Sequence, residues 1–306
     1  MPICERDPWR FQFFKNVVCP DDINIPTDDP DCWEWYPDFR WIYDKQKIAL
    51  GQGIACGLHD TPPTNFPVYC KPNINLKGMG TGGRSIHSRV EFEAHSTPDH
   101  MWMELCRGEH ISTDCAIVAG KLNWCRHTSG IPWHENMFKH WILSVGPNPV
   151  LETYLGTWIE KNMRGYTGMM NFETIGGRII EAHLRFADQW CDLYGRGWVE
   201  ALVYLYATGV WSFKETPEPG FSIPLFAKHG GAYKHPTELQ QAIILAMPHV
   251  KSLQITFHES MKSDLHSMPP GGFRLAIVNC TNLAAGLEAR RALATYFPVE
   301  KVMLPE

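Results

Sequence analysis

A predicted β-hairpin near the middle of the chain carries polar side chains at every second position. A strand sends residues i, i+2 and i+4 to one face. Asn171 and Glu173 therefore share a face of the first strand, and Glu181, His183 and Arg185 share a face of the second. If the strands pair across the glycine turn between them, these five groups converge on one surface. Two carboxylates, an amide, an imidazole and a guanidinium placed together are costly to bury without a ligand.

The chemistry open to this group is metal and phosphate binding. Carboxylate and amide oxygens suit Mg²⁺ or Mn²⁺, and such ions bridge nucleotide phosphates. Arg185 would hold phosphate oxygens. A half-exposed sheet with a solvated polar face shows the same alternation, so the pattern alone leaves both interpretations open.

A second candidate is Lys71, which lies in the strand-like segment VYCKP directly before the glycine-rich stretch KGMGTGGRS. A lone lysine there is costly unless it meets an anion, although a lysine at a strand end can also extend its ammonium to water. Backbone N–H groups of a glycine loop can approach phosphate oxygens closely. The stretch matches neither GxGxxG nor GxxxxGK[ST] and is a weak signal alone. Together with the acidic hairpin, it indicates a triphosphate with its metal ions.

The elements that position these groups follow from hydrophobic spacing and from the glycines and prolines. Their order is α+β, with antiparallel hairpins and no regular βαβ series. The predicted helices cover 45–58, 149–163, 187–195, 198–209, 236–247 and 283–297. The predicted strands cover 66–76, 88–95, several short stretches within 101–130, the hairpin 166–186 turning at 175–177, 221–229, 251–258 and 273–280. The segment TPEPGFS at 216–222 predicts a boundary.

Residues 1–44 are aromatic, proline-rich and acidic. This composition predicts an irregular, solvated segment, and a recruitment surface for a basic partner is an alternative with little support. The side chains expected to hold the segment on the body are aromatic: Trp33, Trp35, Tyr36, Phe39 and Trp41.

The chain has 306 residues, a mass of 35.0 kDa and a formal charge of −5. A net-negative chain is not built to coat a nucleic acid backbone, so no nucleic-acid partner is expected. No apolar run approaches the about 20 residues of a membrane span, so no membrane partner is expected either. The start lacks the features of a secretory signal, and the ten scattered cysteines form no CxxC pair. Reduced cysteines in a cytoplasmic protein are therefore expected.

The order of these motifs resembles the ATP-grasp superfamily, which includes the carbamoyl-phosphate synthetase large subunit, biotin carboxylase and D-alanine–D-alanine ligase. The resemblance spans about residues 41–300, and it rests on the ordered set rather than on a single motif. It implies an ATP-grasp fold, in which two α+β subdomains with antiparallel sheets grip a nucleotide and a C-terminal α+β segment follows. The implied divisions are an irregular segment 1–40, a small lobe 41–100 with the glycine flap, a large lobe 101–217 with the hinge and metal hairpin, and a C-terminal subdomain 218–306.

The resemblance implies phosphate-binding roles in the first lobe. YDKQKI is similar to the opening motif and FPVYCKPN to the strand that carries a second cation, which gives these roles to Lys45 and Lys71. KGMGTGGRS stands at the flap, where Gly80, Gly82 and Gly83 would fold over the phosphates.

The resemblance also implies a hinge for the nucleoside. WMELCRGEHISTD is similar to that hinge, so Glu104 would meet the adenine amino group, the backbone of Leu105 or Cys106 would bond the ring, and Glu109 would lie near the ribose. WCRHTSG resembles a His-Thr-Gly turn, which makes His127 a weaker nucleotide or substrate candidate.

MMNFET and IIEAHLR resemble the metal hairpin of the superfamily. Glu173 and Glu181 would be the metal acids, with Asn171 beside them; His183 would replace the usual Asn, and Arg185 would keep the Arg place. Imidazole is a poor ligand for Mg²⁺ and a better one for Mn²⁺ or Zn²⁺. The implied cofactors are ATP and Mg²⁺ or Mn²⁺. Only about 40 residues precede the opening motif, so the usual N-terminal domain is expected to be missing or vestigial.

The resemblance implies acyl-phosphate chemistry by an ATP-dependent ligase. A substrate carboxylate attacks the γ-phosphate, Lys71 and Arg185 neutralise the developing charge, and an amine or similar nucleophile then displaces phosphate. No side-chain nucleophile is required. The partners would be small-molecule carboxylates and amines, and a homodimer is possible by analogy. Candidates to hold substrate anions are Arg84, Arg126, His134 and His140.

Three other functions stay open. A small-molecule kinase on the same scaffold would give a stable phosphorylated product and need no amine. A non-catalytic nucleotide-binding protein is favoured by the short N-terminal region and by His183, but the presence of Lys71, Glu173, Glu181 and Arg185 argues against it. A Zn²⁺ hydrolase would draw on His127, His134, His140 or His183, and no HExxH motif supports it.

Overall fold

The computed structural model describes residues 3–95, 97–214, 218–262 and 265–305. No helix within these ranges combines the length and the apolar character that crossing a membrane requires. The described part of the chain folds into two principal antiparallel sheets, with helices on their faces.

The strands are β1 (Ile3–Cys4), β2 (Ile25–Pro26), β3 (Cys56–Leu58), β4 (Val68–Pro72), β5 (Arg84–Ile86), β6 (His100–Glu104), β7 (His110–Val118), β8 (Lys121–Pro132), β9 (Phe138–Leu143), β10 (Gly168–Ile175), β11 (Arg178–His183), β12 (Gly220–Ala227), β13 (Val250–Ile255), β14 (Phe273–Cys280) and β15 (Val302–Met303). The α-helices are α1 (Phe11–Phe14), α2 (Asp29–Trp35), α3 (Lys45–Gly51), α4 (Arg89–His95), α5 (Pro149–Asn162), α6 (Trp198–Thr208), α7 (Glu238–Leu245) and α8 (Leu283–Ala294). Short 3₁₀ helices cover Pro8–Arg10, Pro37–Tyr43 and Cys191–Leu193.

The large sheet has nine strands in the order β11-β10-β7-β8-β9-β12-β14-β13, with β15 paired to β12. Alternation along β10 divides its two faces. Met170 and Phe172 pack into a core with α5, whereas Asn171 and Glu173 line a cleft on the other face. The apolar side chains at alternate positions therefore bury one face of β10, and the polar side chains between them face the cleft.

The small sheet has the order β3-β6-β4-β5. Helix α3 joins this sheet to the edge of the large one: Ala49 packs with Met101 and Met103 of β6, while Gln52 exchanges two 2.8 Å hydrogen bonds with the backbone of Ile179 on β11. The two sheets are thereby held face to face across the cleft.

Three predicted helices or strands differ from the structure. Residues 88–95 were expected as a strand, but they form helix α4. Ser88 accepts from Glu91 N at 3.2 Å, and the Glu91 carboxylate accepts from His87 N at 2.7 Å. These two hydrogen bonds cap the start of a helix in which only Phe92 is buried. The alternating apolar residues that predicted a strand therefore do not pack against a core.

The other two differences concern helix ends. The helix predicted over 45–58 ends at Gly51, because Gly53 adopts φ +71° and the chain turns into β3. The helix predicted over 187–195 is reduced to the 3₁₀ turn Cys191–Leu193, since Asp114 accepts the Ala187 N–H through both oxygens at 3.0 Å. The remaining predicted helices and strands are present, with bounds shifted by a few residues.

The N-terminal segment is more ordered and less solvated than expected. Residues 29–43 form α2 and a 3₁₀ helix. Phe39 packs edge-on to Tyr166 at 5.1 Å between ring centroids, and Trp41 lies 5.8 Å from Trp158. Asp29 is buried at 3% exposure. Further along, β12 pairs with β9 in the large sheet, so the sheet runs across the boundary predicted near 218.

Candidate active site

A cleft of about 700 Å³ lies between the two sheets. The small sheet contributes Tyr69, Lys71 and Met103, and the hinge contributes Leu105 and Cys106. The hairpin β10–β11, the N-terminal segment, strands β12 and β14, the glycine loop and the loop after β8 also line it. A volume of this size is typical of a small-molecule site.

The hairpin brings its predicted residues together through a register shift between Glu173 and Thr174. Asn171 pairs with His183, and Glu173 pairs with Glu181 in the antiparallel register. The two-residue turn uses Gly176 and Gly177 at φ +57° and +79°, as a tight hairpin turn demands. The predicted hairpin is therefore present, and the site roles of its residues stay predictions.

Two lysines converge on one carboxylate oxygen. Lys45 Nζ and Lys71 Nζ lie 3.8 and 3.7 Å from Glu181 Oε1, and Lys71 Nζ donates to Ile180 O at 2.8 Å. Burial lowers the pKa of Lys71 to about 8, while Glu181 opposes that shift. Burial alone would raise the pKa of Glu181, but Lys45 and Lys71 hold it below its usual value. Two buried cations sharing one acid form an attractive site for a polyanion.

The N-terminal segment supplies a carboxylate that the sequence motifs do not mark. Asp29 lies 3.0 Å from His183 Nδ1 and 3.0 Å from Arg185 Nη2, and it accepts from the Tyr43 hydroxyl at 3.2 Å. Burial would raise the pKa of Asp29, but Arg185 and His183 hold it well below its usual range. Asp29 thus fixes both the imidazole and the guanidinium of the hairpin.

The second hairpin acid is held by His110, whose Nε2 lies 2.8 Å from Glu173 Oε2. Burial raises the pKa of Glu173, but this hydrogen bond and the charge of His110 bring it down to about 2. The amide nitrogen of Asn171 is bonded within the sheet, since Nδ2 donates to Ser112 at 2.9 Å and to Asp114 at 2.7 Å, while the residue lines the cleft.

The glycine loop is divided between the cleft and the small sheet. Gly78, Met79 and Gly80 line the cleft, whereas Gly82 and Gly83 do not. A Cβ at Gly83 would meet the Tyr69 hydroxyl at 2.4 Å. Close packing, rather than ligand approach, therefore explains the glycine at 83.

The candidate hinge residues divide between the cleft and its surroundings. Glu104 lines the cleft and pairs with Arg178 at 3.1 Å. Glu109 lies outside the cleft lining, and its carboxylate accepts from Ser129 Oγ at 2.6 Å. His127 lies on the opposite face of the large sheet, where its Nδ1 is 2.9 Å from Thr113 Oγ1.

The four predicted substrate-anion residues are not brought together. His134 lines the cleft. Arg84 is exposed, 3.3 Å from His95, and Arg126 donates to the Glu218 carbonyl at 3.1 Å beside another cavity. His140 is half-buried on β9 outside the cleft lining, and burial lowers its pKa.

Sequence reasoning also missed the charged end of the cleft. Arg10 forms ion pairs with Asp188 and, at 3.0 Å, with Asp7. Arg274 donates to Gln189 at 3.4 Å, and burial, reinforced by Arg10, lowers its pKa to about 10. Arg10 comes from the short N-terminal region, so no local pattern could place it here.

The hairpin donors suit a divalent cation. Glu173 and Glu181 are cross-strand partners that face the cleft. His183 Nε2 lies 3.7 Å from Glu181 Oε2, beyond hydrogen-bond distance, while Asp29 engages the other ring nitrogen. Proteins commonly orient a metal-binding imidazole through such a carboxylate. The imidazole favours Mn²⁺ or Zn²⁺ over Mg²⁺.

No protein-family model matches the sequence, and the search of curated proteins gave no match. Solved structures do match. An L-amino acid ligase from Bacillus licheniformis aligns over 97% of this chain and 84% of its own, at 11% identity and a TM-score of 0.65. Phosphoribosylamine–glycine ligase from Thermotoga maritima aligns over 94% and 85%, at 12% identity and a TM-score of 0.62.

N5-carboxyaminoimidazole synthase from Aspergillus clavatus, in complex with ADP and 5-aminoimidazole ribonucleotide, aligns over 94% of this chain and 78% of its own, at 10% identity and a TM-score of 0.60. Likeness at such low identity concerns the fold. The chain has a divergent ATP-grasp fold of the α+β class, as its ordered motifs predicted.

Proposed function

We propose that this protein is an ATP-dependent ligase that activates a carboxylate as an acyl phosphate for attack by an amine. The observation that carries the proposal is the convergence of Lys45 and Lys71 on Glu181, opposite Glu173, inside the cleft of an ATP-grasp fold. The similar structures include an L-amino acid ligase and a phosphoribosylamine–glycine ligase, which supports condensation rather than simple phosphorylation.

In this proposal the nucleotide lies along the cleft. Glu104 and the backbone of Leu105 and Cys106 bind the adenine, and Glu104 exchanges its Arg178 partner for the amino group. Lys45 and Lys71 turn from Glu181 to the phosphates, and the backbone at Gly80 covers them. Glu109 serves the ribose only if its carboxylate leaves Ser129.

Glu173, Glu181 and His183 would hold the divalent cation, which supplies charge neutralisation at the phosphates when bound. The side chains of the protein position the reacting groups. Asp29 keeps Arg185 directed at the cleft, so its guanidinium faces the charge that develops on the transferred phosphoryl group. His127 does not enter this assignment, because it lies on the opposite face of the sheet. Asn171 would add its Oδ1 as a further ligand, because its bonds to Ser112 and Asp114 use only Nδ2.

The bond changes define what must be excluded from the site. A substrate carboxylate oxygen attacks the γ-phosphorus, the bond to the β-phosphate oxygen breaks, and ADP leaves. The amine nitrogen then attacks the acyl carbon, phosphate leaves, and the nitrogen loses a proton. Because water competes with the amine, the cleft must close over the acyl phosphate.

The test is incubation of the pure protein with ATP, Mg²⁺ or Mn²⁺, and a pool of carboxylates and amines, followed by mass spectrometry. We expect ADP, phosphate and a mass equal to acid plus amine minus water. Glu181→Gln should abolish the product, whereas Glu160→Gln, an exposed change on α5, should not. ADP with a stable phosphorylated acid and no condensed product would identify a kinase and contradict the ligase assignment.

A further inference from the structure

A second cavity, of about 430 Å³, lies on the face of the large sheet that is turned away from the nucleotide cleft. Cys125 and His127 of β8 and Glu152 of α5 line it. One donor atom from each residue, a thiol sulfur, an imidazole nitrogen and a carboxylate oxygen, lies within 4.8 Å of the other two.

Local structure explains why these three side chains meet. Positions 125 and 127 are two apart on one strand, so both side chains leave the same face. Helix α5 packs on that face with Leu155 and Trp158 in the core. Asn148 caps the helix by accepting from Leu151 N at 3.2 Å, and its own N–H donates to Glu152 Oε1 at 2.8 Å. The cap therefore holds Glu152 over the strand.

The imidazole is oriented from behind. Nδ1 of His127 lies 2.9 Å from Thr113 Oγ1 on the neighbouring strand, while Nε2 points at Glu152 Oε1, 3.4 Å away. The hydrogen bond at Nδ1 holds the orientation of the ring, so Nε2 faces Glu152, and proteins use such partners behind metal-binding histidines. His127 itself is 4% exposed.

We propose that Cys125, His127 and Glu152 bind one Zn²⁺ ion at a site separate from the nucleotide cleft. Sulfur, nitrogen and oxygen donors at this spacing are the set that zinc accepts, whereas thiolate and imidazole together do not suit Mg²⁺. Three protein ligands leave a fourth position, which faces the cavity and is filled by water. The ion would tie β8 to the first turn of α5.

This site does not depend on the proposed ligase activity. The cross-strand partners of Thr113 are His127 and Phe172, and Phe172 is fully buried in the core beneath α5. The candidate nucleotide-binding acids project from the other face of the same sheet. The tests of zinc binding and of ATP turnover can therefore give independent results.

The experiment is titration of the chelator-treated, reduced full-length protein with Co²⁺, the spectroscopic substitute for zinc. A cysteine ligand gives a sulfur-to-cobalt charge-transfer band that nitrogen and oxygen ligands do not. We expect the band to saturate at one Co²⁺ per chain and to disappear when stoichiometric Zn²⁺ is added. It should be absent in Cys125→Ser and present in Cys56→Ser. Glu181→Gln, which alters the nucleotide site, should leave the band unchanged.

Thr113→Val keeps the side-chain shape but removes the bond to His127, so it should weaken Co²⁺ affinity about 10- to 100-fold. A wild-type protein with no charge-transfer band would overturn the proposal, as would a band that survives in Cys125→Ser. A second measurement needs no variant. Stoichiometric Zn²⁺ should slow alkylation of Cys125, measured by peptide mass spectrometry, without slowing that of Cys56. Equal alkylation rates with and without Zn²⁺ would also reject the site.

Discussion

Nδ1 of His183 lies 3.0 Å from Oδ2 of Asp29, although the two residues are 154 positions apart in the chain. The same carboxylate holds Arg185 at 3.0 Å. The N-terminal segment is therefore part of the candidate active site, because it sets the orientation of two side chains on the hairpin that carries the proposed metal ligands.

Asp29→Asn should impair both metal binding and stability. The change removes the charged partner of the partly buried Arg185, so we expect the free energy of unfolding to fall by about 1–3 kcal/mol. Removal of the partner of His183 should weaken Mn²⁺ affinity about 10- to 100-fold. Urea unfolding and electron paramagnetic titration with Mn²⁺ measure the two effects.

The matched control for that variant is Asp28→Asn. Asp28 caps α2 by accepting from Asp31 N at 2.8 Å, and Asn is an equally good cap. Its stability and Mn²⁺ affinity should stay close to those of the wild type. Identical behaviour of the two variants would show that Asp29 has no special role.

Lys71→Gln should weaken ATP binding by about 10- to 100-fold, the range expected for one hydrogen bond to a charged group. Lys45→Gln should act in the same direction. Lys47→Gln is the control, because Lys47 lies on the same helix as Lys45 but pairs with Asp44 at 3.6 Å. Isothermal titration calorimetry with a non-hydrolysable ATP analogue gives the affinities. Equal affinity in Lys71→Gln and Lys47→Gln would remove Lys71 from the phosphate site.

His183→Asn should shift the metal preference. An amide oxygen is a harder donor than imidazole nitrogen, so the ratio of Mg²⁺ to Mn²⁺ affinity should rise relative to that of the wild type. Competition between the two ions, followed by the Mn²⁺ signal in the presence of the ATP analogue, measures this ratio directly. An unchanged ratio would mean that His183 is not a ligand.

Stability should depend on pH through Asp192, which lies outside the cleft lining. Asp192 accepts from Ser252 at 2.8 Å and from Asn279 at 2.7 Å, and burial raises its pKa to about 6. Between about pH 4 and 6 the folded protein keeps a proton that the unfolded chain has released. Stability therefore falls as pH rises through this window, by at most about 3 kcal/mol.

Asp192→Asn removes the titrating group and retains an oxygen acceptor. The free energy of unfolding of this variant should exceed that of the wild type above pH 6, and the difference should vanish below about pH 4. Urea denaturation at several pH values tests the prediction. Parallel stability curves for the two proteins would contradict it.

The sequence predicted what depends on local periodicity. The alternation around Glu173 and Glu181, with a turn at 175–177, placed both acids on one face. In the structure the turn has two residues, and a register shift between Glu173 and Thr174, which the sequence did not predict, restores the pairing of the two acids. Lys71 was found because a lysine is unusual in an apolar strand. Such features are properties of a few consecutive residues, so no tertiary information was needed.

What the sequence did not predict depends on pairing between distant segments. The face that His127 occupies is set by its register with Thr113, and that register cannot be read from β8 alone. The role of Asp29 requires the path of the whole N-terminal segment. Residues 88–95 were predicted as a strand from a weak alternation, but capping by Ser88 and Glu91 stabilises a helix there. The domain divisions, the substrates and dimerisation stay predictions.

The pairing of β12 with β9 has a practical consequence for dividing the chain. A cut near residue 218 would separate two strands that bond to each other inside one sheet. Each fragment would expose an unpaired strand edge flanked by apolar side chains, which is a template for self-association. Separate expression of the two fragments should therefore give aggregates, whereas co-expression allows β9 and β12 to pair.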